Sequence, residues 1–163
     1  MKFISKHFGE IDFKNPQEYY EIEMQLNTKI VAISMSILSK NIDDKDIIKI
    51  DNYLTNFKEN EKQIRQLLHQ DFKNKRETVN YINLLKEEYP LNEILLLIES
   101  NKSKLTDDKK LLNELYLVQI AFYPNKEDKM FAVLDYTIND ALTDDLLVVK
   151  CYKNESIQIT IES

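Results

Sequence analysis

Apolar and polar residues alternate most regularly over Glu18–Leu38. Tyr20, Ile22, Met24 and Leu26 alternate with Tyr19, Glu21, Glu23 and Gln25, and the alternation resumes after Asn27-Thr28 at Val31, Ile33, Met35 and Ile37. Side chains of a strand point to its two faces in turn, so this period predicts two half-buried strands. A two-residue turn at Asn27-Thr28 sets Met24 against Val31, Ile22 against Ile33 and Tyr20 against Met35. Apolar then meets apolar on one face, while Glu21 and Glu23 meet Ser34 and Ala32 on the other. The turn and the pattern agree on one register. Phe3–Phe13 reads as a further strand or two short ones, with Gly9 as a break or bulge.

From 43 to 114 the period lengthens to that of helices. Asp43 or Asp44 is the expected N-cap of a helix carrying Ile47, Ile50, Leu54 and Phe57. A second helix runs roughly from Asn60, with Ile64, Leu67, Leu68 and Phe72 on one face. A third runs from about Lys75 to Tyr89, with Val79, Ile82, Leu85 and Tyr89 aligned, and Pro90 ends it. Glu93–Glu99 is apolar nearly all round, which predicts a deeply buried segment. Thr106 is the expected N-cap of a short helix through Leu111 and Leu112.

The strand period returns over 115–162, at Leu115–Tyr123, Met130–Ile138, Leu146–Tyr152 and Ile157–Glu162. The last strand alternates Ile157, Ile159 and Ile161 with Gln158, Thr160 and Glu162, as an edge strand with one wet face does. The order β–α–β predicts an α+β fold. Its expected form is an antiparallel-rich sheet, built from the N-terminal hairpin and the C-terminal meander, with the helical segment packed on one face. The pattern leaves open whether the two β regions form one sheet or two. A chain of 163 residues without a composition break reads as a single domain, 1–163.

Composition removes several function classes. One Gly and three Pro exclude a glycine-built phosphate loop. The single Cys, Cys151, excludes an internal disulfide and a multi-Cys metal site. The opening MKFISKHFGEIDF lacks the apolar region of a signal peptide. Even an apolar run such as Ile94–Ile98 falls far short of the about 18 residues that span a membrane. A cytoplasmic protein without membrane contact is the expectation. The net charge is −6, and 130–163 holds six acids against two bases. Such a chain is a poor ligand for nucleic acid and a good one for a basic partner.

The acids of Met130–Val149 are the first candidates for chemistry. Asp135, Asp140, Asp144 and Asp145 could ligate a hard cation, but their spacing matches no calcium loop, and the last three read as turn residues. Asp135 interrupts an apolar strand, where a charge is costly unless paired. His7 and His69 lack a nucleophile turn or a ligand set. Cys151 shares a strand face with Leu147 and Val149 and reads as a small hydrophobe. Lys58, Lys62, Arg65 and His69 make a basic helical stripe, interleaved with Glu59, Glu61 and Asp71, which reads as a solvated face with i,i+4 pairs. Tyr19, Tyr136 and Tyr152 are expected on sheet faces away from the core, where tyrosine serves protein contacts.

Lys6-His7-Phe8-Gly9-Glu10-Ile11-Asp12 near the start and Phe131–Val149 near the end resemble a bacterial family known only as domain of unknown function two thousand and four. The likeness rests on Asp135-Tyr136-Thr137, Leu142-Thr143-Asp144 and Leu147-Val148-Val149, with Asn139 where the family has Gly. It implies one compact unit and carries no activity, cofactor or catalytic residue.

The expectation is therefore a non-enzymatic binding or accessory module without a cofactor, meeting a protein partner through Tyr136, Asp140, Asp144, Asp145 and Tyr152. A toxin-neutralising protein is its specific version. A metal-dependent enzyme using the C-terminal aspartates and a homo-oligomer paired along Ile157–Ile161 are the alternatives.

Overall fold

The computed structural model describes residues 2–42, 44–98 and 104–163. Among these residues eight strands and five helices follow in the order β1 (Lys2–Ser5), β2 (Gly9–Asp12), β3 (Tyr19–Leu26), β4 (Lys29–Ser36), α1 (Asp44–Thr55), α2 (Phe57–Lys73), α3 (Glu77–Glu88), α4 (Leu91–Leu97), α5 (Asp107–Glu114), β5 (Tyr116–Phe122), β6 (Met130–Thr137), β7 (Leu146–Tyr152) and β8 (Ile157–Glu162). The fold is α+β.

The alternation over β3 and β4 has done what it predicted. Met24 faces Val31, Ile22 faces Ile33 and Tyr20 faces Met35, around a turn in which Asn27 takes φ 54°. Asparagine tolerates that left-handed conformation better than other side chains do. β1 and β2 form a small separate hairpin, with Gly9 at φ 77° where the chain reverses. The other six strands form one sheet in the order β3-β4-β5-β6-β7-β8. Every pairing in it is antiparallel except β4 with β5, which runs parallel through Ile33↔Ile120 and Met35↔Phe122. The two β ends of the chain thus join in a single sheet, and all five helices lie in the connection between β4 and β5.

One face of this sheet is the floor of the core. Across it the register aligns Ile22, Ile33, Ile120, Leu134, Val149 and Ile159. Helices cover this floor with side chains at three- and four-residue spacing: Ile47, Ile50 and Leu54 from α1, Ile64 and Leu68 from α2, Tyr81, Ile82 and Leu85 from α3. The β1–β2 hairpin closes the same side, with Ile11 fully buried and Phe8 edge-on to Tyr20.

Two expectations need correction here. The buried stripe of α2 is Phe57, Glu61, Ile64, Leu68 and Asp71, which turns Leu67 outward, 40% exposed. The stripe tilts because Glu61 and Asp71 have internal partners and follow the apolar residues inward. The leucine-rich run is not deep in the fold. Ile94 of α4 and Ile98 just after it are buried, while Leu96 and Leu97 are 79% and 57% exposed, because the run meets the core along one narrow line. Asp43 and Glu99 lie outside the described residues; Asp44 stands in the first turn of α1.

Buried carboxylates tie the helices together. Asp71, near the end of α2, accepts hydrogen bonds from the backbone N–H and the hydroxyl of Thr78 at 2.7 and 2.8 Å. It thereby satisfies the N-terminus of α3, whose own capping position, Arg76, offers no side-chain acceptor. Glu61 accepts from Arg65 at 3.0 Å and from the Tyr136 hydroxyl at 3.4 Å. Arg65 also donates to the Leu115 carbonyl at 2.7 Å, which fixes the entry to β5.

Candidate functional site

The face of the sheet opposite the core follows from the same register. Its two central rows run Glu21, Ser34, Ala121, Val133, Lys150, Gln158 and Glu23, Ala32, Gln119, Asp135, Val148, Thr160. Glu21, Glu23, Gln25 and Gln158 are exposed. Val148 is buried yet stands apart from the core cluster that takes in Leu147 and Val149 on either side of it. Its cover is local. Lys150 and Glu162 form an ion pair, and because Glu162 is opposite Leu146, the pair passes over Val148.

Asp135 is beside Val148 in the centre of this face. It is half-buried, and no hydrogen bond from a described residue reaches its carboxylate. Burial first, and then the charge of Glu162, hold its carboxyl above the usual carboxylate range. Lys150 pulls Glu162 the other way, below its ordinary value. Tyr123 shares the same field: burial, followed by the charges of Asp135, Asp128 and Glu162, raises its phenol. The face carries Glu21, Glu23, Asp135 and Glu162 against Lys150, whose charge Glu162 already engages. Chemically it is an acidic plane with a small-residue centre.

The expected site residues scatter over three places. Tyr136 belongs to the core: it is fully buried, with its ring on the helical side and its hydroxyl on Glu61. Its strand is apolar on both faces, so alternation alone did not assign the side. Tyr152 does lie on the open face, where its hydroxyl donates to Gln158 at 2.8 Å. Asp140, Asp144 and Asp145 are at the other end of β7, roughly 20 Å away along the strand. Asp140 is exposed beside a polar cavity of about 510 Å³ at the sheet end, lined in part by Asn27, Lys29, Arg65 and Tyr116, and its backbone N–H donates to the Tyr116 hydroxyl. Asp144 is exposed. Asp145 is a turn residue: its carbonyl accepts from Tyr81, its N–H donates to Thr143 and its carboxylate accepts from Ser163.

Among the described residues no three His, Cys, Asp or Glu side chains converge as a metal-holding group. Cys151 is partly buried, and burial pushes its thiol up to about 11, so it stays protonated at neutral pH. His7 approaches Thr55, and His69 is an exposed residue of α2. Tyr123, Lys150 and Glu162 were missing from the sequence-based site. Their signal was present: Gln119, Ala121 and Tyr123 alternate with Ile120 and Phe122, and Lys150 is the polar position in β7.

No family model, curated protein or solved structure matches the chain.

Proposed function

We propose that the chain is a non-enzymatic protein-binding module that receives a basic partner surface on the open face of its sheet. The observation that carries this reading is the charge of that face: four carboxylates, one ammonium, and the ammonium already paired. Complementary charge steers encounter and sets specificity. Tyr19, Tyr123 and Tyr152 supply the amphipathic rings that interfaces favour. Six strands at a spacing of about 4.8 Å give a width of roughly 25 Å, the scale of a standard interface of about 800 Å² per partner. In its specific form the partner is a basic toxin and the contact masks it. The resemblance of the two β ends to the uncharacterised bacterial family is part of this proposal and adds no activity to it.

Affinity capture from the host lysate, read by mass spectrometry, tests the reading when wild type is compared with a Glu23→Lys/Asp135→Lys variant. The expected result is a basic protein held by wild type, released by about 0.5 M salt and absent from the variant. A partner retained equally by both forms overturns it. Association of two copies along β8, whose outer edge pairs with no described strand, is the competing reading. It predicts a dimer in sedimentation that a Gln158→Pro substitution dissolves.

A further inference from the structure

The helical side of the molecule carries a groove of the opposite sign. Lys62, Arg65, His69 and Lys73 follow at three- and four-residue spacing and so share one face of α2. Lys109 and Leu112 of α5, with Leu105 just before it, face them across a groove of about 770 Å³. Phe72, Leu105 and Leu112 supply its apolar surface, and among the described residues none that lines it is acidic.

The sequence alone suggested that neighbouring acids cancel this stripe. In the fold Glu61 engages Arg65 alone of the stripe, and the other acids are drawn elsewhere. Glu61 is buried against Arg65 and Tyr136. Asp71 is buried on the N-terminus of α3. Asp107 pairs with Lys110 at 3.6 Å and Asp108 with Lys86 at 2.7 Å. Glu59 is one turn before Lys62, outside the groove. Arg65 is engaged by Glu61 and the Leu115 carbonyl, and burial together with Arg65 holds His69 below its ordinary value. The groove is left with Lys62, Lys73 and Lys109, none in an ion pair with a described residue.

We propose that this groove docks an acidic amphipathic helix of a partner protein. Apolar side chains of that helix would rest on Phe72, Leu105 and Leu112, and its carboxylates would meet Lys62, Lys73 and Lys109. The dimensions fit a helix: Lys62 and Lys73 are about 16 Å apart along α2, three turns of an opposing helix. The chemistry disfavours single-stranded nucleic acid, because the floor is chiefly aliphatic and Phe72, its one aromatic, is half-buried. A second copy fits less well. Its helix with an exposed leucine pair, α4, has seven residues and reaches about 10 Å. The groove and the acidic sheet face are on opposite sides of the sheet, so the two proposals stand or fall separately.

Fluorescence anisotropy with a labelled 14-residue probe tests this, the probe being a designed helix with a leucine stripe and glutamates elsewhere. Comparison probes are its lysine counterpart, laurate as competitor, and a labelled 12-nucleotide oligouridine. The expected result is saturable binding of the glutamate peptide alone. A Lys62→Glu/Lys109→Glu variant should weaken it at least tenfold, as should Leu105→Asp, while Glu23→Lys/Asp135→Lys leaves it unchanged. Circular dichroism confirms that each variant folds. The proposal is overturned by no saturable binding, or by binding that the groove substitutions leave intact. It is equally overturned if oligouridine or laurate occupies the groove in preference to the peptide, or if sedimentation shows self-association that the groove substitutions abolish.

Discussion

Tyr53 holds its hydroxyl buried without a hydrogen-bond partner among the described residues, while its ring meets Phe122 and Phe131 edge-on at 5.5 and 6.2 Å. Desolvation of an unpaired hydroxyl costs free energy, so Tyr53→Phe keeps the rings and removes the cost. Urea denaturation should show stability unchanged or raised by about 1 kcal/mol. Asp71 is the opposite case. Asp71→Ala strips two hydrogen bonds from Thr78 and uncovers the start of α3, and should cost about 2 kcal/mol in the same assay. Asp135 couples the sheet to pH. Its folded carboxyl is raised, so the native state holds a proton that the unfolded chain has already released. Its contribution to stability is therefore greatest below the ordinary carboxylate value, and it falls as pH rises from there through the raised folded value. Asp135→Asn should lift Tm slightly at pH 7, and the difference from wild type should close by about pH 3. Metal titration belongs at this scale as well. With Asp140, Asp144 and Asp145 spread along one loop, calorimetry with Mg²⁺, Ca²⁺ or Mn²⁺ should give no stoichiometric heat.

At the scale of elements, the α2–α3 corner turns through Lys75 at φ 56°, a left-handed conformation that side chains disfavour. Lys75→Gly should stabilise the protein by about 0.5–1 kcal/mol, as read by thermal unfolding. α4 gives a sharper contrast: Leu96→Lys should change stability by under about 0.5 kcal/mol, while Ile94→Ala should cost about 2–4 kcal/mol. Which elements were legible follows from the same physics. A strand with one wet face shows its register in its alternation, and β3 and β4 were readable residue by residue. A strand apolar on both faces gives no such parity, which is why Tyr136 falls on the side opposite to the one expected, whereas the side of Tyr123 is readable from its alternation with Phe122. A run like that in α4 reports hydrophobicity but not depth, since burial depends on what packs against it. The basic stripe of α2 is the solvated face expected, with its i,i+4 pair in Arg65–Glu61, but the order of residues along the chain hides which acids stay beside it. Counting charges along the chain ignores the angle around the helix, and Glu61 and Asp71 leave the surface by that angle.

For the molecule as a whole, an acidic plane and a basic groove are separated by the thickness of the sheet and its helical layer. That separation predicts two salt-sensitive contacts with opposite preferences, each removable by its own charge reversal. The parallel junction of β4 with β5 has a further consequence, a kinetic one. Its four pairings, from Ala32↔Gln119 to Met35↔Phe122, close a loop that contains every described helix. The β3–β4 hairpin and the β5–β8 meander are local by comparison and form without that loop-closure cost. The junction should therefore be the last pairing to form, and Ile33→Val or Ile120→Val should speed unfolding while leaving the refolding rate nearly unchanged in stopped-flow experiments. Until it closes, β4 and β5 each present an unpaired edge to other chains. Refolding yield should then fall as protein concentration rises, with aggregates nucleated at these two strands and not at β3 or β8.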